Sequence, residues 1–130
     1  PLIPEGAADL MLAFEPLEAL RQISQTRKGA KVLVEERRIP PMTVSTGACV
    51  YPEDCLERLL ASGREVRVIP ALERAVALGE PRAANTVMLG AASALLDLPA
   101  EAGEAALRGG LKPTALDVNL KAFADGRALT

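Results

Sequence analysis

Residues 8–14, Ala-Asp-Leu-Met-Leu-Ala-Phe, form an almost continuous apolar run, the pattern of a strand buried on both faces. Glu15 and Pro16 follow it, and proline suits the first helical position because its missing N–H would be unpaired there anyway. Leu17, Leu20 and Ile23 then recur at helical spacing. That stripe fades toward Lys28, so the spacing predicts a helix over 16–28 with Gly29 as its stop. Residues 30–36 (AKVLVEE) read as a second strand, terminated by Arg37-Arg38-Ile39-Pro40-Pro41. The stretch 42–50 alternates weakly and allows a short edge strand. Tyr51-Pro52-Glu53-Asp54 opens another helix, with proline first and acids in the first turn, where the helix dipole favours them. Gly63 ends that helix, and the alternating EVRVIP of 65–70 is a third strand.

Strand, helix, strand, helix, strand is the order of a parallel sheet with crossover helices. The expected class is therefore α/β, a Rossmann-like and mainly parallel sheet flanked by helices in three α/β/α layers. The remainder reads as all helix, over 71–78, 81–97, 100–108 and 115–125. Thr114 and Asp117 suggest a capping box for the last of these. Arg108-Gly109-Gly110 is the loosest joint, and neither an internal repeat nor a linker is visible.

Two of these helices carry asparagine on an apolar side. At about 100° per residue, Arg82, Thr86, Ser93 and Asp97 share a narrow polar face, with Ala84, Met88, Ala91 and Leu95 opposite. Asn85 heads a third stripe with Leu89, Ala92 and Leu96. A helix with so little polar surface is buried on most sides, so Asn85 is expected to point into protein. Arg82 opposes the dipole from the first turn, which suits a wet surface or a nearby anion. On the last helix Asn119 lies among Leu116, Leu120 and Phe123, with Asp117, Lys121 and Asp125 outside. An unpaired buried amide costs about 1–3 kcal/mol, so each asparagine is expected to have a partner. A carbonyl or N–H of the same domain would serve; so would an adjoining subunit or its cofactor.

Composition narrows the function classes. The chain has 130 residues, 49% of them hydrophobic and 25% charged, enough for one domain with a real core and unlike a disordered segment. Two Phe, one Tyr and no Trp leave no stacking platform for single-stranded nucleic acid. A net charge of -2 gives no footprint for a polyanion. Cys49 and Cys55 are the only cysteines and there is no histidine. Two thiols cannot close a structural zinc or iron–sulfur site, and their spacing is not that of a redox pair. They read as small core hydrophobes of a reducing compartment. No apolar run reaches the length of a membrane span, and the start lacks the order of a signal peptide. A soluble, cytoplasmic protein is expected.

No stretch performs chemistry unaided: there is no nucleophile elbow, Gly-rich phosphate loop or metal-ligand cluster. In a parallel α/β sheet ligands collect at the carboxyl ends of the strands, here Glu15-Pro16, Arg37-Arg38 and Pro70-Ala71. The first would repel a phosphate and lacks an N–H. Arg37 and Arg38 offer guanidinium forks for a carboxylate, a phosphate or a partner's acid, although adjacent arginines after a strand are more often plain solvated surface. No catalytic or metal-binding residue is assigned. Glu15, Arg37, Arg38, Arg82, Asn85 and Asn119 are the positions expected to face a partner or ligand.

Four stretches, PLIPEGAADLMLAFEPLEALR, RRIPPMTVS, GEPRAANTVMLGAASAL and LDVNLKAFADG, resemble in that order the gamma-type domain of 2-oxoacid:ferredoxin oxidoreductases, most of all the indolepyruvate-type beta subunits. The resemblance implies a component of an enzyme that oxidatively decarboxylates 2-oxoacids such as indolepyruvate to acyl-coenzyme A, with electrons passing to ferredoxin. It also implies that thiamine diphosphate, magnesium and iron–sulfur clusters belong to a larger partner subunit, leaving this chain without cofactors and inactive alone. Residues 1–130 would be a single gamma-type catalytic domain. It would lack the family's N-terminal part with its Gly-x-Gly-Gly-Gln-Gly loop, leading strand and helix. An uncovered sheet edge pairs with another chain, so a homo- or hetero-oligomer is expected, with no nucleic acid or membrane partner. Two alternatives remain on the residues alone: a stand-alone module holding a small acid with Arg37, Arg38 and Arg82, or an assembly scaffold without ligand.

Overall fold

The apolar run after Ala7 is strand β1 (Ala8–Ala13) in the computed structural model, which describes residues 2–37, 39 and 51–130. β1 pairs in parallel with β2 (Thr26–Glu35), setting Met11 opposite Val32, Leu12 opposite Leu33 and Ala13 opposite Val34. With β3 (Glu65–Ile69) the sheet order is β1-β2-β3. The middle place of β2 explains its unbroken apolar run, since Val32, Leu33 and Val34 are fully buried and need apolar neighbours on both faces.

The chain divides into two compact units, Pro1–Val68 and Ile69–Thr130. In the first, α1 (Pro16–Gln22) and α2 (Cys55–Leu60) pack together, and α1 also lies on β1 and β2. Ala13, Ala19, Val34 and Leu59 form the core between them, flanked by partly buried Met11, Leu20 and Val66. Pro16 opens α1 as its sequence suggests, and the Glu15 carboxylate caps it by accepting the Glu18 N–H at 2.8 Å.

Two boundaries in this unit differ from expectation. The helix predicted over 16–28 stops at Gln22; a single 3-10 turn (Ile23–Gln25) follows, and β2 already begins at Thr26. Arg64 holds that turn. Its Nε donates to Thr26 Oγ1 at 3.0 Å, Nη2 to the Ile23 and Thr26 carbonyls at 3.2 and 2.9 Å, and Nη1 to the Ser62 carbonyl at 2.8 Å. Gly29 is then no helix stop. It lies inside β2 at φ 72°, where β2 advances from Thr26 to Lys31 while β1 advances only from Ala8 to Leu10. A left-handed backbone at such a bulge is where glycine fits without a Cβ penalty. The second helix begins at Cys55, after a turn over Glu53 and Asp54, and not with Pro52 in its first position; the Tyr51 hydroxyl before it donates to the Glu15 carboxylate. The edge strand suggested for 42–50 lies outside the described residues, as do Cys49 and Arg38.

The second unit is helical: α3 (Ala71–Ala77), a 3-10 turn (Pro81–Ala83), α4 (Ala84–Leu95), α5 (Ala100–Gly110) and α6 (Pro113–Arg127). α4 and α6 meet backbone to backbone at two glycines. A Cβ on Gly90 would overlap the Phe123 carbonyl, and one on Gly126 would overlap the Val87 carbonyl. The ring of Phe123, 1% exposed, fills the space that a side chain at Gly103 would need. Arg74 ties α3 to α6 through a two-pronged contact with Asp125, Nε–Oδ2 2.7 Å and Nη2–Oδ1 2.5 Å. The expected capping box is absent. Pro113 takes the first position of α6, which places Thr114 inside the helix, and no side chain caps its start. Gly109 and Gly110, read as a loose joint, form the last turn of α5.

Parallel strands flanked by helices, followed by a helical half, are the Rossmann-like α/β class read from the pattern. Among the described residues no helix is long and apolar enough to cross a membrane.

Candidate functional site

Glu15 stands at the carboxyl end of β1, where ligands gather in sheets of this kind, but its carboxylate is committed elsewhere. It is 5% exposed, accepts the Glu18 N–H, and also accepts the Tyr51 hydroxyl. Burial raises the Tyr51 pKa, and the hydrogen bond and negative charge of Glu15 raise it further. The Cys55 thiol is likewise pushed up, first by burial and then by the Glu15 charge; its Sγ donates to the Pro52 carbonyl at 3.1 Å. A protonated, buried thiol is a poor nucleophile. The cluster is therefore a polar anchor for the start of α1. Beside it opens a groove of about 440 Å³ lined chiefly by apolar side chains, among them Leu12, Phe14 and Ile39.

Arg37 is exposed just beyond the end of β2 and does not line that groove. Arg38, its neighbour in the pair singled out in the sequence, lies outside the described residues.

Three of the positions singled out in the sequence do come together. Arg82, Asn85 and Asn119 line one groove of about 380 Å³ in the second unit, with Glu80, Thr86 and Leu111. Arg82 lies in the 3-10 turn ahead of α4 and not in the first turn of that helix as expected; its side chain is 88% exposed and sits on a wet surface against an anion. Its Nε and Nη2 take the two oxygens of Glu80 at 2.9 and 2.8 Å, and its own N–H donates to Glu80 Oε1 at 3.1 Å. Those hydrogen bonds, the side-chain ones foremost, hold the Glu80 carboxyl down at about 2. The Nη1 edge of Arg82 has no partner among the described residues.

Asn85 corrects the sequence reading. It is exposed and its amide has no partner among the described residues. The polar face assigned to α4 turns inward in part, because its members find partners. Thr86 donates to Asn119 Oδ1 at 2.5 Å. Ser93 donates to the Gly90 carbonyl at 2.7 Å and accepts from Arg127 Nη1 at 2.9 Å. The solvent stripe of α4 thus runs through Asn85, Leu89 and Leu96, while Ala92 from the same stripe is buried. Asn119 does face inward as expected; its Nδ2 donates to the Ala115 carbonyl at 2.8 Å, so both partners of its amide lie in its own unit.

Sequence reasoning passed over Arg64 and Arg127. Arg127 reaches Ser93 and the Leu98 carbonyl, both at 2.9 Å, and its guanidinium stands 5.9 Å from the Phe123 ring centre. The one available signal was its place in the last turn of a helix, where a cation meets the negative end of the dipole. Among the described residues no group of three or more His, Cys, Asp or Glu side chains could hold a metal ion.

The fold is shared with oxidoreductase structures. The gamma subunit of a keto/oxoacid ferredoxin oxidoreductase from Geobacter sulfurreducens superposes with a TM-score of 0.68 at 21% identity, covering 96% of this chain and 65% of that one. A 2-oxoglutarate:ferredoxin oxidoreductase from Magnetococcus marinus gives 0.66 at 23% identity, covering 99% and 21%. The sequence profile of the pyruvate ferredoxin/flavodoxin oxidoreductases matches residues 1–129, and the chain belongs to that family. Among its relatives, the indolepyruvate oxidoreductase subunit IorB of Methanothermobacter thermautotrophicus is 37% identical over 129 residues, covering 96% of this chain and 66% of the relative. The protein of the same name from Archaeoglobus fulgidus is 40% identical over 132 residues, covering 97% and 65%. The chain thus spans just under two thirds of the length of these relatives.

Proposed function

We propose that this chain is a component of an indolepyruvate-type 2-oxoacid:ferredoxin oxidoreductase, with residues 1–130 serving as its gamma-type domain. The reaction of such an assembly splits carbon dioxide from the 2-oxoacid and joins the acyl group to coenzyme A. The two electrons released reduce ferredoxin. The observation that carries the reading is the likeness to IorB-type subunits across nearly the whole chain. The chemistry of the described side chains agrees with a supporting part: the buried carboxylate caps a helix, and the buried thiol is held protonated. Thiamine diphosphate, magnesium and the clusters would belong to a larger partner subunit. A buried free thiol at Cys55 suits a reducing cytoplasm.

Co-expression with the larger subunit of an indolepyruvate oxidoreductase from the same organism tests the reading. The two chains should co-purify in fixed proportion and reduce ferredoxin only when indolepyruvate and coenzyme A are both present. A matched larger subunit that neither binds this chain nor gains activity from it would refute the proposal.

A further inference from the structure

We propose that the groove between α4 and α6 is a binding site for a small monocarboxylate with a short aliphatic tail. This goes beyond the subunit role above and does not depend on it. A guanidinium has two edges that can each hold a carboxylate in a two-pronged grip. Arg82 uses the Nε/Nη2 edge on Glu80, and its Nη1 side is left open toward solvent. The Asn85 amide, equally unpartnered among the described residues, lines the same groove and adds a donor. On the facing wall the Thr86 hydroxyl donates to Asn119 Oδ1 and the Asn119 amide nitrogen donates to the Ala115 carbonyl, which fixes the orientation of both groups. Leu111 supplies an apolar surface for the tail. The volume, about 380 Å³, lies at the small end of ligand pockets, which run from about 300 to 1,000 Å³.

The class of anion follows from Glu80. Its carboxylate stays ionised and neutralises Arg82, so the groove begins without net charge. A monoanion adds one negative charge beside Glu80, whereas a phosphate dianion adds two and is repelled more strongly. Glu80 is also an internal competitor, a carboxylate of the chain already seated on the cation that would bind the ligand.

Titration of the full chain with isovalerate at constant ionic strength, followed by ¹⁵N NMR of the Arg82 Nε and Asn85 side-chain signals, tests the site. Saturable shifts at both groups are expected, with isovaleramide and inorganic phosphate giving weaker responses. R82Q should weaken isovalerate binding roughly tenfold or more, as loss of a charge-assisted fork does. E80Q should tighten it several-fold by releasing the fork, and the same spectra show whether each variant is folded. A structural ion pair alone predicts no such opposition of sign. The proposal is overturned if isovalerate gives no saturable shift, or if amide or phosphate binds as well as the carboxylate. It is equally overturned if E80Q and R82Q change the affinity in the same direction.

Discussion

Gly90→Ala tests the close crossing of α4 and α6. An added methyl would meet the Phe123 carbonyl, with the Arg127 backbone nitrogen also near it. Both obstacles are backbone, so no rotamer change relieves them, and the helices must separate by roughly 1 Å to restore van der Waals distance. Overpacking of this sort costs about 1–3 kcal/mol, and the rigid obstacles here place the cost at the top of that range. Alanine returns about 1 kcal/mol through its better helix propensity, leaving a net loss of about 2 kcal/mol. For a chain of this length that corresponds to a fall in Tm of roughly 6–10 °C. Gly109→Ala is the matched control: it lies within α5 with open space around its Cβ position. It should gain up to about 1 kcal/mol from propensity alone. Urea denaturation of both variants, followed by circular dichroism, reads the difference. A Gly90→Ala protein as stable as the parent would refute the reasoning, because propensity would then dominate and the crossing would be loose.

Arg64→Ala should cost about 2–3 kcal/mol, since three carbonyls and the Thr26 hydroxyl lose a charged donor; Arg64→Lys should recover less than half, because an ammonium cannot span the fork. Equal urea midpoints for Arg64→Ala and the parent would count against the clamp. The Glu80 carboxyl should titrate at about 2 by ¹³C NMR and move back toward 4.5 in Arg82→Gln. Asp125, whose carboxyl Arg74 holds below its ordinary 3.8, contributes stability above that value. The contribution is lost as pH falls through its folded pKa, so Arg74→Gln should flatten this part of the acid-unfolding curve. In a Cys49→Ala background, Cys55 should resist a thiol reagent at pH 8 until urea unfolds the chain; rapid labelling of the native protein would show that its thiol is neither buried nor raised.

The elements that could be read from sequence were those whose cause is local. The apolar runs of β1 and β2 and the proline at the start of α1 each declare themselves within a few residues. The early start of β2 does not. Thr26-Arg27-Lys28-Gly29 is polar, and it becomes strand because Arg64, far along the chain, grips the preceding turn. The orientation of α4 failed for a related reason. Hydrophobicity marks Thr86 and Ser93 as outward, but Asn119 and Arg127, each more than thirty residues away, give their hydroxyls partners inside. Asn119 was placed correctly because its neighbours Leu116, Leu120 and Phe123 fix the face on their own. At the groove, Arg82 and Asn85 were legible as oddities on an apolar helix, whereas the Thr86–Asn119 pair on the opposite wall was not.

The glycine crossing has a bearing on any molecule that enters beside it. Two rods touching along their main chains resist sliding or parting, because tightly packed interiors are hard to compress and transmit strain. The recess above Asn119 is framed in part by those same two rods, so that side of it is set when the chain folds. The exposed side chains of Arg82 and Asn85 are left to adapt, and a guest would be sorted by girth at the frame and by charge at the arginine.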